Sequence, residues 1–273
     1  MNWRRADDTL ICNFLAHCFT TGISHSTAHV YVSAINHLFD DAMLPSPTGS
    51  RSVVHALQGY KRRRTAPPDS RLPITYDILK RLKFDLRTAD YCSHDRRVFW
   101  TACVMAFFGY LRVSEYCTAY AERQSPADLR LGDLTVRSDE VILTLRSSKT
   151  DPFREGQRVA LRPTGRSICP VSVVHALISS LKKSRLRQPR SPVLTFADGS
   201  FLSCSRFRHF IKRMMAYHPE GHRFGTHSFR IGAATTAALI GQHPDEIKRA
   251  GRWKSNVYAG YIRPQNTVGL RLE

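Results

Sequence analysis

Residues 226–238, THSFRIGAATTAA, set a histidine and an arginine three positions apart, directly ahead of a run of small side chains. On a helix, His227 and Arg230 project from one face with their Cβ atoms roughly 5–6 Å apart. Arginine offers a planar fork of donors matched to two phosphate oxygens, and histidine moves a proton near neutral pH. From Gly232 to Ala238 the chain holds only Gly, Ala and Thr, which lets a neighbouring helix pack closely behind that face. His-x-x-Arg by itself is common by chance; the small residues behind it single this copy out.

Three other stretches carry groups of matching chemistry. In FFGYLRVSE (107–115), Arg112 follows an apolar helix, and Glu115 stands three residues on. An arginine leaving a buried segment is costly without partners, so the carboxylate either orients it toward a ligand or forms a plain structural pair. In LRSSKTDP (145–152), Lys149 sits on the turn of an expected hairpin, where a mobile ammonium can protonate a leaving oxygen. A solvated loop lysine has the same composition. In HPDEIKRAGRWKSNVYAGYIR (243–263), Pro244, Asp245 and Glu246 start a helix, and Gly251 is its expected stop. Tyr258 and Tyr261 then fall three apart on a second short helix. A tyrosine that attacks phosphorus must lose a phenolic proton with an ordinary pKa of about 10, and nearby guanidinium groups favour that loss. Two arginines, a lysine, a histidine and a tyrosine in this order suffice to surround and attack one phosphate.

The chain has 273 residues, enough for one large or two smaller domains, and 42% of them are hydrophobic, which excludes global disorder. It carries 41 Lys and Arg against 22 Asp and Glu, a net charge of +19. That balance favours a polyanionic partner, nucleic acid first. No apolar run approaches the roughly 18–20 residues that span a bilayer, and the N-terminus has no secretory signal pattern. The seven cysteines are scattered, without CxxC spacing, as expected for reduced thiols inside a cell. His25 and His29 lie four apart with nothing nearby to complete a metal shell, so no metal site is expected.

The pattern predicts a mainly α protein with a small antiparallel β-sheet (α+β). Residues 1–64 form a helical unit: a helix capped by Asp7 or Asp8, a second from Ser26 or Thr27 that buries Val30, Ala34, Ile35 and Leu38, and a third carrying Val53, Val54 and Leu57. That third helix ends in Lys61, Arg62, Arg63 and Arg64, a backbone-gripping segment, a nuclear-import signal or a solvated linker. Residues 65–73, TAPPDSRLP, are extended by their prolines and divide the chain. Beyond them, helices are expected over 75–87, 95–111, 170–183, 203–217 and 228–240. Strands are expected over 133–137, 140–146 and 157–162, the last two pairing.

Together these residues resemble the tyrosine recombinase (phage-integrase-like) family over nearly the whole chain. FFGYLRVSE is similar to its first-arginine box, THSFRIGAATTAA to its His-x-x-Arg box and AGRWKSNVYAGYIR to its nucleophile box. HSFRIGAATT and GRW…YIR resemble most the Crypton and DIRS-like recombinases of eukaryotic mobile elements. The resemblance implies a SAM-like core-binding domain in 1–64, a linker in 65–73 and a catalytic domain in 74–273, closed as a clamp on double-stranded DNA. It implies that Arg112 and Arg230 hold the scissile phosphate, His227 assists proton movement and Lys149 protonates the leaving 5′-oxygen. Tyr261 then forms a 3′-phosphotyrosyl link, which needs neither ATP nor metal nor another cofactor. It further implies a homo-oligomer on DNA, dimer to tetramer, with no membrane partner, and an intracellular location, nuclear in a eukaryote. A type IB topoisomerase uses similar chemistry, and a catalytically inactive DNA-binding descendant would keep the same residues. The family often has His or Trp directly after the nucleophile-box glycine. Here Arg252 stands there and Trp253 follows, so either Trp253 fills the role one residue on or Arg252 supplies the hydrogen bond. Twelve residues follow Tyr261 (273 − 261), a shorter tail than the family's, and the resemblance implies that the first N-terminal helix is missing.

Overall fold

The computed structural model describes residues 3–63, 69–146, 156–183 and 188–264. Its contacts divide the chain into two compact units, Met1–Ser70 and Arg71–Glu273.

In the first unit, Asp7 caps α1 (Asp8–Thr20), its carboxylate accepting from the Leu10 amide at 2.8 Å. Ser24 caps α2 (His25–Asp41), accepting from the Thr27 amide at 3.1 Å. Both are short polar acceptors of the kind that satisfies the open amides of a first turn. A 3-10 turn, Pro47–Gly49, leads into α3 (Arg51–Arg63). Ile11, Leu15, Cys18, Ala28, Val32, Val53 and Tyr60 form the core, and the Tyr60 hydroxyl donates to the Ile23 carbonyl at 2.7 Å. The expected buried stripe of α2 is corrected. Val30 is 62% and Leu38 54% exposed, and Ala34 is exposed with them; of the stripe Ile35 packs against the core, half-buried, and Ala28, Val32 and Phe39 are buried. On α3, Val53 is buried while Val54 is exposed. Lys61, Arg62 and Arg63 close the last turn of α3 with exposed side chains, where cations complement the helix dipole. Arg64 lies outside the described residues.

The second unit is mainly helical around a three-stranded antiparallel sheet. Helices α4 (Tyr76–Thr88) and α5 (Ser93–Phe108) come first, then the single turn α6 (Val113–Tyr116). Strands β1 (Leu134–Val136), β2 (Val141–Leu145) and β3 (Gln157–Leu161) follow in the order β1-β2-β3, with Leu143 opposite both Leu134 and Val159. On β2, Val141, Leu143 and Leu145 alternate into the core. Next come α7 (Pro170–Lys183), α8 (Cys204–Met214), α9 (Ser228–Leu239), α10 (Pro244–Gly251) and a 3-10 helix, Asn256–Tyr261. The core runs through α5, whose residues from Ala102 to Phe107 are all buried, and through an aromatic stack in which Phe99 and Phe210 lie 4.2 Å apart. Among the described residues no helix is long and apolar enough to cross a membrane.

Two local expectations need correcting. α5 stops at Phe108 rather than continuing to 111, because Gly109 caps it and Tyr110 takes a left-handed backbone with φ of 49°. The small run on α9 does not receive a helix at Gly232. An extended segment sits there instead, with the Ile74 amide bonded to the Ser228 carbonyl at 2.9 Å. A Cβ on Gly232 would lie 1.8 Å from the Ile74 carbonyl oxygen, so only glycine admits this approach.

Candidate active site

Arg112 leaves the core on the turn between α5 and α6. Glu115, almost wholly buried, holds it twice: Oε2 accepts from the Arg112 amide at 2.9 Å, and Oε1 pairs with Nη1 at 3.0 Å. The second bond fixes the direction in which the guanidinium points. The side chain keeps 20% of its surface exposed, enough to meet a ligand.

Arg252 is the other partner of Glu115, its Nη2 lying 2.5 Å from Oε2. Nη1 donates to the Gly109 carbonyl at 3.2 Å, and Nη2 also reaches the Tyr110 carbonyl at 3.4 Å. Burial depresses the Arg252 pKa, Glu115 opposes that shift, and Arg112 adds to it. The backbone here corrects the sequence expectation as well. Gly251 belongs to α10, and the left-handed residue that ends the helix is Arg252, with φ of 57° and ψ of 41°. A side chain in that conformation costs about 1–2 kcal/mol. Gly251 is needed for another reason: a Cβ there would fall 1.7 Å from the Trp253 ring, which folds back over it.

Arg230, in the first turn of α9, has no exposed surface. Nη1 donates to the Tyr110 carbonyl and Nη2 to the Gly251 carbonyl at 2.5 Å, while Nε, buried, has no partner. Its guanidinium lies 4.3 Å from the Trp253 ring centre and 5.6 Å from that of Tyr261, in reach of cation–π attraction. Burial first, then Arg112 and Arg252, bring its pKa down to about 10. Burial, partly offset by Arg230, pushes the Tyr110 phenol up to about 12. Among the described residues, Arg112, Arg230 and Arg252 face the carboxylate of Glu115, which leaves positive charge in excess in a poorly solvated place. Such an excess is relieved by an anion.

Tyr261 closes the 3-10 helix, half-buried, its ring 5.1 Å from His227 and 4.9 Å from Trp253. His227 is the N-cap of α9 rather than a residue of its first turn. Behind the tyrosine, the Thr235 hydroxyl donates to the Tyr261 carbonyl at 3.2 Å and accepts from the Arg263 amide at 3.1 Å. Tyr258 packs on the core with Lys248 5.3 Å from its ring. The fold thus brings Arg112, Glu115, His227, Arg230, Arg252, Trp253 and Tyr261 together. Arg230 is fully covered, with the Trp253 and Tyr261 rings packed near its guanidinium. The buried Trp253 Nε1, like Arg230 Nε, is an unpartnered donor.

Lys149 lies outside the described residues. Its flanking strands β2 and β3 pair as expected for a hairpin. Sequence reasoning missed the carbonyls of Gly109 and Tyr110 and the hydroxyl of Thr235, all of which hold the arginines or the tyrosine in place. Nothing in the sequence marks a left-handed Tyr110. Among the described residues, no three His, Cys, Asp or Glu side chains gather as a metal ion would need.

The chain has the fold of the tyrosine recombinases. Lambda integrase residues 75–356, as a dimer bound to a COC′ core site, superimpose with a TM-score of 0.61 at 14% identity, over 99% of this chain and 84% of that one. XerH site-specific recombinase, bound to palindromic difH in a post-cleavage complex, gives 0.60 at 13% identity, covering 96% and 68%. The Tn1549 transposon integrase with transposon right-end DNA gives 0.60 at 14% identity, covering 95% and 82%. No family model matches the sequence, and no curated protein does.

Proposed function

We propose that the chain is a site-specific DNA recombinase or integrase of the tyrosine recombinase family, and that it works through a 3′-phosphotyrosine intermediate. The observation that carries this reading is the gathering of Arg112, Arg230 and Arg252 in a poorly solvated place, with the Tyr261 ring centre 5.6 Å from the Arg230 guanidinium. A phosphodiester is a monoanion, and its five-coordinate transition state gains a second charge. Guanidinium charge gathered there would therefore favour the transition state over the bound substrate. The neighbours above supply the prior, since all three are DNA-bound recombinases or integrases.

In the proposed reaction the Tyr261 hydroxyl attacks the phosphorus between two nucleotides. A P–O bond to Tyr261 forms as the bond to the 5′-oxygen breaks. The phenolic proton leaves toward His227, and the 5′-oxygen takes a proton from Lys149. A 5′-hydroxyl from a second DNA end then displaces Tyr261 by the reverse path. Bond energy is kept in the ester, so the reaction needs no nucleotide and no metal. Arg112 and Arg230 hold the non-bridging oxygens once the rings over Arg230 shift. Lys61, Arg62, Arg63 and Arg64 grip the DNA backbone. A dimer to tetramer on DNA places the two ends together, and Crypton and DIRS-like elements are the proposed source class.

The test is a nicked suicide duplex bearing candidate element ends, incubated with wild type and with Tyr261→Phe. A covalent adduct with wild type alone, at equal DNA affinity for both, is expected. Adduct formation by both proteins would move the nucleophile elsewhere. Tight binding with no adduct from either, across sequences selected for binding, would replace the enzyme with a DNA-binding protein.

A further inference from the structure

Arg252 stands where the resemblance leaves two roles open, as a phosphate ligand or as something else. Its surroundings decide between them. The side chain is 95% buried (100 − 5). One terminal nitrogen is bonded to the Glu115 carboxylate and the Tyr110 carbonyl, and the other to the Gly109 carbonyl. Both terminal nitrogens therefore face inward, onto the loop that delivers Arg112, while the buried Nε has no partner. The same Glu115 carboxylate takes the Arg112 amide and Nη1. One buried carboxylate thus joins the arginine loop to the first residue of the segment that carries Tyr261.

The backbone gives an independent argument. Arg252 holds a left-handed conformation, with its amide bonded to the Lys248 and Arg249 carbonyls, at a helix end where glycine is usual. A strained residue persists where its side chain has a task that glycine cannot perform. Here the strain turns the chain out of α10, and the side chain locks the turn to Glu115.

We propose that Arg252 is a positioning residue, which through Glu115 fixes the Tyr261 segment relative to Arg112, and that it does not bind the phosphate. This rests on the reading of Tyr261 as the nucleophile. Trp253 Nε1 and Arg230 Nε, both buried and unpartnered, are then donors for a phosphate oxygen, and Arg252 Nε, unpartnered as well, is held away from it by its two bonded terminal nitrogens.

Two measurements on the full chain test this. The first compares the rate of adduct formation on a suicide duplex with a normal scissile phosphodiester and on one with a neutral methylphosphonate there. Losing a phosphate ligand matters less when the phosphate has no charge; losing a positioning residue matters equally on both. Arg252→Met should therefore slow the reaction about 100-fold on both substrates, as a misplacement of about 1 Å does. Recovery on the methylphosphonate would overturn the proposal. The second measurement needs no activity: amide exchange at Trp253 and Arg263, with nitration of Tyr261, in wild type and variant. Both should rise in Arg252→Met while the amides of α9 keep their protection, and unchanged exchange and nitration would overturn it. Arg252→Lys keeps the charge without the planar fork. It should show the same changes at smaller size, and it carries the test if the Met variant does not fold. Absence of any wild-type adduct would refute the nucleophile assignment, and the exchange data would still decide whether Arg252 holds the segment.

Discussion

The two walls of the candidate site are built differently. α9, which carries Arg230, has nine of its twelve residues buried, and Gly232 lets the Ile74 backbone lie directly against it. The 3-10 helix that ends in Tyr261 has no buried residue. It is held by the Arg252 turn, by the Thr235 hydroxyl and by Arg263, whose Nε donates to the Arg71 carbonyl at 3.3 Å. One wall is part of the core, and the other is an arm with no buried residue, held by polar contacts and by the half-buried Tyr258, Tyr261 and Ile262. Segments with few buried apolar contacts open at lower free energy than the core behind them. The contrast fits a site whose phosphate-binding wall stays fixed while its nucleophile moves onto the substrate and off again.

The largest effect should come from damaging the fixed wall at its charge. Arg230→Ala removes the proposed phosphate ligand, and adduct formation should fall about 10³-fold. It also strips a donor from the buried Gly251 carbonyl, worth about 1–3 kcal/mol when left unsatisfied, and one of two from the Tyr110 carbonyl, which keeps Arg252 Nη2. Tyr261→Phe should lose activity at least as fully and leave the urea midpoint alone. If Arg230→Ala melts like wild type, the wall is not part of the core and the contrast between the walls fails.

Next in size is Gly232→Ala, which touches no group of the proposed chemistry. Its new methyl meets the Ile74 carbonyl at 1.8 Å, and the α9–Ile74 contact must spread. A loss of about 1–3 kcal/mol is expected from such overpacking, read as a lower urea midpoint with an unchanged slope. An unchanged midpoint would mean the wall yields as easily as the arm.

Much of this architecture was legible in the sequence, for reasons that also explain the errors. The cap at Asp7, the helix start at Pro244, the alternation of Val141, Leu143 and Leu145 and the spacing of His227 and Arg230 are local signals, and local signals survive folding. The stripe on α2 failed because its apolar residues occur on more than one face. Ala28, Val32 and Phe39 make a buried line as regular as Val30, Ala34 and Leu38, and periodicity cannot choose between them. Gly251 resembled a helix stop because glycine usually takes the left-handed position; here its bare Cα makes room for the Trp253 ring, and Arg252 takes the turn. What gathers around Arg230 is least legible. Two of its partners are main-chain carbonyls, present at every position, and only the fold selects Tyr110 and Gly251 among them.

The smallest predicted effect gives the sharpest test of the contrast between the walls. Thr235 belongs to α9 and is fully buried, yet its hydroxyl serves the arm, donating to the Tyr261 carbonyl and accepting from the Arg263 amide. Thr235→Val keeps the shape and removes both bonds. Each is worth about 1 kcal/mol net, and Arg263 keeps its side-chain bonds to the Arg71 and Gly260 carbonyls. Exchange at the Arg263 amide should therefore rise only about fivefold, the factor that about 1 kcal/mol represents. The urea midpoint should stay within error of wild type, because the arm opens without the core. A midpoint that falls by as much as the local protection would show arm and wall unfolding together, and the movable-nucleophile reading would then have no structural basis.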